Sequence, residues 1–104
     1  MSHPRNDLDP ELTNPLRFSL LASLSSVVEM TFKDLRDYLD TTDSTLSKHA
    51  SALEKAGYIK VKKGFVGKKP QTKLAISQKG AQAFRRHLTI LNVIAQGKYE
   101  DGSS

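Results

Sequence analysis

Thr42-Asp-Ser-Thr-Leu-Ser-Lys-His-Ala-Ser-Ala-Leu-Glu-Lys-Ala-Gly-Tyr-Ile-Lys-Val-Lys-Lys63 changes its period at Gly57. Before the glycine, Leu46, Ala50 and Leu53 recur at the three-to-four-residue spacing of one helical face. After it, Tyr58 to Lys63 alternate apolar and basic side chains, the period of a strand. Thr42 or Asp43 can cap the helix, and Gly57 supplies the left-handed conformation that ends it.

Toward the N-terminus, Thr31-Phe-Lys-Asp34 reads as a capped start, and Phe32, Leu35 and Leu39 continue as a short helix that runs out at Asp40-Thr41. Two short helices joined by about three residues make a helix-turn-helix. Asn14-Pro15 opens an earlier helix, with Asn as cap and Pro at the first helical position. Leu16, Leu20, Leu24 and Val27 share one of its faces, while Phe18 and Ala22 fall nearly opposite. A helix apolar on two sides calls for two partners. Residues 1–13 are polar, carry two prolines and show no period, and so read as a flexible N-terminal arm.

Toward the C-terminus, Thr72 to Ile76 reads as the partner strand, with Gly64, Gly67 and Pro70 in the connection. The pair predicts a β-hairpin with a long, flexible, lysine-rich tip. Ser77 then caps a last helix of about 18 residues, about 27 Å long. Ala81, Ala83, Phe84, Leu88, Ile90, Leu91, Ile94 and Ala95 cover about half of its wheel, more than one core needs. Residues 97–104 form a polar tail. The expected class is mainly α with a small β-hairpin: a winged helix-turn-helix over residues 14–96 with a long C-terminal helix.

Composition narrows the function. The 104 residues, 38% hydrophobic and 26% charged, suit one soluble domain, and with no cysteine there is no disulfide and no thiolate metal site. No run is apolar enough to span a membrane, and the first ten residues lack the core of a secretory signal, so cytoplasmic residence is expected. Charge is polarised along the chain. Through Glu54, nine acids outnumber five Lys and Arg; from Lys55 onward, eleven Lys and Arg face only Glu100 and Asp101. A basic half attracts polyanions, although a solvated lysine surface kept for solubility would look similar.

The run Leu46-Ser-Lys-His-Ala-Ser-Ala-Leu-Glu-Lys-Ala-Gly-Tyr-Ile59, followed by Phe65-Val-Gly-Lys-Lys-Pro70 and Leu74-Ala-Ile-Ser-Gln-Lys-Gly80, resembles the small winged-helix transcriptional regulators of the ArsR/MarR type. The resemblance covers about residues 12–96. It implies a transcriptional regulator that binds duplex DNA sequence-specifically, most often a repressor, and the surplus apolar surface of the first and last helices predicts that it acts as a homodimer. Two departures matter. Metal-sensing members use cysteine or histidine clusters, whereas His3, His49 and His87 are scattered here, so no metal site is carried over. Ala50 stands where such sequences often have leucine.

The residues argue for DNA on their own account. With Leu46, Ala50 and Leu53 inward, Ser44, Lys48, Ser51 and Lys55 point outward and Thr45 and Ser47 flank them, a face without Asp or Glu that suits a major groove about 12 Å wide. His49 falls nearer the buried boundary and reads as an orienting histidine rather than a base reader. Lys60, Lys62, Lys63, Lys68, Lys69 and Lys73 make the wing cationic; Lys63, Lys68, Lys69 and Lys73 are the expected phosphate or minor-groove contacts. Lysine on an edge strand also guards against sheet aggregation, a reading that covers Lys60 and Lys62 but not a tip. Phe18, Ala22, Leu88, Leu91 and Ile94 are the expected dimerisation residues. Any small-molecule effector would lodge between the first and last helices, though few polar groups are available there to fix one. No nucleotide loop, zinc-protease motif or catalytic triad is present, and Asp34 and Asp37 read as a solvated helix face, so neither enzyme activity nor a cofactor is assigned. The rival functions are a winged-helix protein-interaction module and a nonspecific architectural DNA-binding protein.

Overall fold

The computed structural model describes residues 3–97. Four helices, α1 (Pro15–Ser25), α2 (Phe32–Tyr38), α3 (Asp43–Lys55) and α4 (Gln78–Gln96), are combined with three strands, β1 (Met30–Thr31), β2 (Ile59–Val66) and β3 (Lys69–Ile76). The helix starts follow from local chemistry. The side chains of Asn14, Thr31, Thr42 and Ser77 each accept the backbone N–H three residues on, at 2.9–3.2 Å. Gly57 closes the end of α3 at φ 84°, and Asp40 takes φ 52° in the turn between α2 and α3.

The core is almost entirely leucine. Leu12, Leu20, Leu21, Leu24, Leu35, Leu46, Leu53 and Leu74 are fully buried, with Ala50 and Ile59 beside them and Met30, Phe32, Tyr58, Val61 and Phe84 packed around. The buried stripe of α1 is therefore Leu20, Leu21 and Leu24, rotated from the expected one, and Val27 lies beyond the helix end and exposed.

Three expectations are corrected. The N-terminal arm is not loose: Pro4–Asp7 and Pro10–Leu12 form two 3-10 turns, and Leu12 enters the core. The wing gains a third strand, because β1 pairs antiparallel with β3 (Met30 opposite Leu74, Thr31 opposite Lys73) to give the sheet order β1-β3-β2. The hairpin has no long tip, since pairing continues to Val66 opposite Lys69 and leaves only Gly67-Lys68 as the turn. Gly67 has φ 62° and Lys68 a negative φ, the sign pattern of the two-residue turn that matches strand twist with glycine first. The polar tail from Lys98 onward lies outside the described residues.

At the base of the wing, Ser77 is a junction. Its N–H donates to Tyr58 O at 2.9 Å, its hydroxyl donates to Gly57 O at 2.6 Å, and the same oxygen accepts the N–H of Gly80. Gly80 must be glycine for this approach, because a Cβ there would stand 2.0 Å from Tyr58 O.

Candidate nucleic-acid interface

All six residues expected on the outward face of α3, Ser44, Thr45, Ser47, Lys48, Ser51 and Lys55, are exposed. They are not equally free. Thr45 Oγ1 accepts the Thr42 hydroxyl at 2.9 Å, and Ser44 Oγ lies 3.4 Å from that same hydroxyl, so both take part in the helix cap. Ser47, Lys48, Ser51 and Lys55 have no such engagement with the cap.

The orientation of α3 is held at its first residue and near its middle. Arg36 of α2 pairs with Asp43 at 2.8 Å and with its neighbour Asp37 at 3.1 Å, which ties the turn to the first residue of α3. Near the middle of α3, His49 is buried and its Nδ1 accepts the Arg17 Nε–H at 3.3 Å. Arg17 in turn pairs with Glu11 at 2.8 Å. Burial first, then Arg17 and Lys48, push the His49 pKa down, so the ring is the neutral acceptor this geometry requires. His49 is thus an orienting residue, as its place on the wheel suggests.

The wing meets α3 across a cleft of about 290 Å³. Ser47, Ser51 and Glu54 line it from α3, Lys63 and Thr72 from the sheet, and Val61 and Leu74 form its floor. Pairing alternates the two faces of the hairpin: Val61 opposite Leu74 and Lys63 opposite Thr72 face α3, while Lys62 opposite Lys73 and Val66 opposite Lys69 face away. Lys63 is therefore brought beside the α3 face, whereas Lys69 is on the other face of the ribbon. Lys73 is drawn elsewhere, to Glu29 at 3.2 Å, and its charge is locally balanced. Lys63, Lys68 and Lys69 are exposed, with no ion pair among the described residues. Sequence reasoning missed Glu54, because the helical wheel does not show that the sheet closes over its side of α3.

The dimerisation candidates lie along α1 and α4. Phe18 stacks on Phe84 and His87 of its own α4, with ring centroids 5.4 and 5.6 Å apart, so part of the two-sidedness of α1 is satisfied within the chain. Leu88 and Val93 are each 37% exposed, and Leu91, Ile94 and Ala22 are half-buried. A shallow apolar groove of about 260 Å³ runs between the N-terminal turns, α1 and α4, bordered by Leu8, Pro15, Phe18 and Leu91. Beside it, Asp9 N–H donates to His87 Nδ1 at 3.2 Å, and the Tyr58 hydroxyl donates to the Asp9 carboxylate. Burial and that carboxylate push the Tyr58 pKa up to about 12, which keeps the donor proton in place.

Residues 16–95, which hold the helix-turn-helix and its β-ribbon, match the winged helix DNA-binding domain family. The chain belongs to that family. Over 73 residues, 70% of its own length and 79% of the relative's, this winged helix DNA-binding domain is 30% identical to an uncharacterized protein of Methanocaldococcus jannaschii. Its fold matches the transcriptional regulator homologue protein from Pyrococcus horikoshii OT3 with a TM-score of 0.85, at 24% identity, covering 92% of this chain and 97% of that one. It also matches Sco3205, a MarR family transcriptional regulator from Streptomyces coelicolor solved in complex with DNA, with a TM-score of 0.69 at 20% identity over 94% of this chain and 66% of that one. Among the described residues no helix is long and apolar enough to cross a membrane.

Proposed function

We propose that this winged helix domain is a transcriptional regulator that binds duplex DNA sequence-specifically as a homodimer, acting as a repressor and not as an enzyme. The observation that carries the reading is the placement of Ser47 and Ser51 on α3 across one cleft from Lys63, with Lys48 exposed on the same helix and Lys68 and Lys69, in no ion pair among the described residues, beyond it. Helix α3 fits a major groove, where hydroxyls and lysine reach base edges, and the wing lysines neutralise phosphates. Self-association is supported by Leu88 and Val93, each 37% exposed, on a 19-residue helix whose second half carries no fully buried residue. The repressor sign rests on the resemblance to the ArsR/MarR type, and a small-molecule effector has no support beyond the shallow groove beside Phe18.

Selection from random duplex DNA tests the reading. It should return an inverted repeat with half-site centres about 34 Å apart, or a multiple of that. Recovery of unrelated sequences with strong salt dependence would indicate an architectural protein, and no enrichment at any salt concentration would indicate a protein-interaction module. Transcription from a promoter carrying the selected site should fall when the protein is added.

A further inference from the structure

Phe65 stands near the end of the wing with 73% of its surface exposed, and Val66 beside it is 59% exposed. On β2 the residues Ile59, Val61, Lys63 and Phe65 alternate onto one face. Ile59 is in the core, Val61 packs on it, and Lys63 lines the cleft opposite Ser47 and Ser51. Phe65 is the next member of that row, about 7 Å further out on the side of α3. Its cross-strand partner is Pro70. Even with Pro70 opposite it, most of the Phe65 ring stands in water. Lys63 precedes it on the same face and Lys68 stands in the turn just beyond, while Lys62 and Lys69 lie on the opposite face of the ribbon; none of the four is in an ion pair among the described residues.

A surface that is apolar at its centre and cationic at its rim fits a partner that is anionic at its edges and apolar between them. Duplex DNA seen from a groove has that layout. The major groove admits a helix or a two-stranded ribbon, but the minor groove, about 6 Å wide, admits only side chains. With α3 in the major groove, the wing reaches the neighbouring minor groove through its end residues alone. Phenylalanine forms no hydrogen bonds to base edges. It can pack on the sugar walls or press between base pairs, and the second unstacks a step and bends the duplex away.

We propose that Phe65, with Pro70 as its cross-strand neighbour, is a minor-groove wedge that bends the bound duplex, with Lys63 and Lys68 on either side of it held on the flanking phosphates. The proposal rests on the reading of this chain as a duplex-DNA binder. It adds a source of specificity that needs no base contact: flexible pyrimidine–purine steps are preferred beneath the wing, because they unstack most easily.

The test compares wild type, Phe65→Ala and Phe65→Leu on the selected duplex, labelled at both ends for energy transfer, at several salt concentrations. Because Phe65 is exposed, all three should melt alike. Wild type should bend the duplex. Phe65→Ala should lose most of the bend and bind about tenfold more weakly, with the salt slope unchanged, since an apolar group and not a charge is removed. Phe65→Leu, still an apolar wedge, should keep most of both. Replacing a TA step under the wing by an A-tract should weaken wild type and leave Phe65→Ala indifferent. Equal bending and affinity for wild type and Phe65→Ala would overturn the wedge while leaving the DNA-binding reading intact. A Phe65→Ala protein that loses affinity only by changing oligomeric state would make the tip a self-association surface and also overturn it. Absence of any duplex binding by wild type would overturn both readings.

Discussion

The backbone N–H of Asp9 donates to Nδ1 of His87 across 78 positions of sequence, at 3.2 Å. This bond requires an unprotonated Nδ1, as does the bond from Arg17 to His49. Burial pushes both histidines below their ordinary pKa of 6.5, and in His87 it outweighs the opposing pull of Asp9. The unfolded chain then binds more protons than the folded one once the pH falls below about 6.5. Stability should be full above that value and should decline as pH falls further toward the folded pKa values. Melting curves between about pH 8 and pH 5 check this. His87→Gln and His49→Gln should each flatten the decline, and an unchanged slope in both variants would contradict the assignment.

Gly80→Ala should destabilise the fold by about 1–3 kcal/mol, because backbone must move to relieve a Cβ placed 2.0 Å from Tyr58 O. The helix propensity gained, about 1 kcal/mol, opposes this without cancelling a backbone clash. Gly64→Ala is the control: a Cβ there meets nothing within 4 Å, so its effect should be neutral or slightly favourable. Urea denaturation of the two variants gives the comparison directly.

Lys68→Ala with Lys69→Ala should weaken binding to every duplex and make the salt slope shallower by about 0.9 for each phosphate that is no longer neutralised. Lys73→Ala should change the slope little, since Glu29 already sits 3.2 Å from its ammonium. Glu29→Gln should strengthen binding by releasing that charge. Titrations at several salt concentrations measure all three.

Ser47→Ala and Lys48→Ala should each cost about 1–3 kcal/mol on the selected site and much less on a scrambled duplex, because they remove base-reading groups from the free part of the α3 face. Thr45→Ala should act differently. Its hydroxyl takes part in the cap with Thr42, so the loss should appear in thermal stability as well as in affinity. If the Ser47 and Lys48 variants lose equally on both duplexes, α3 is not the reader.

Leu88→Glu combined with Ile94→Glu should convert a dimer to a monomer and weaken DNA binding with it. A stable pair buries about 800 Å² per partner, and two carboxylates in such a patch would have to be desolvated. Sedimentation at tens of micromolar decides it: a wild-type monomer there would remove the dimer from the proposal.

Much of this fold is legible in the sequence because its boundaries are written in local chemistry. Asn14, Thr31, Thr42 and Ser77 cap where their side chains predict, and Gly57 ends α3. The misses involve residues joined only by the tertiary structure. Leu12 belongs to a segment with no period, and its turns are held through Asp9 by Tyr58 and His87, far away in sequence. Strand β1 is two residues long and has no alternation to detect. The wing strands run past Gly64 and Gln71, where the alternation of side chains fades while the backbone ladder continues. Lys73 looks free in the sequence because Glu29, its partner, precedes it by more than forty positions. Phe65 falls in the stretch that the sequence assigns to the connection, and its place on the ribbon follows only from how far the pairing of β2 with β3 extends.

The Ser77 junction also has a mechanical meaning. Its bonds fasten the end of α3, the root of the wing and the first turn of α4 within one turn of chain, and Gly80 leaves no slack between them. Turning α4 against the wing would therefore have to break these bonds. If two such chains paired through α4, a change at the pairing surface would reach α3 and the wing through this junction and not through a loop.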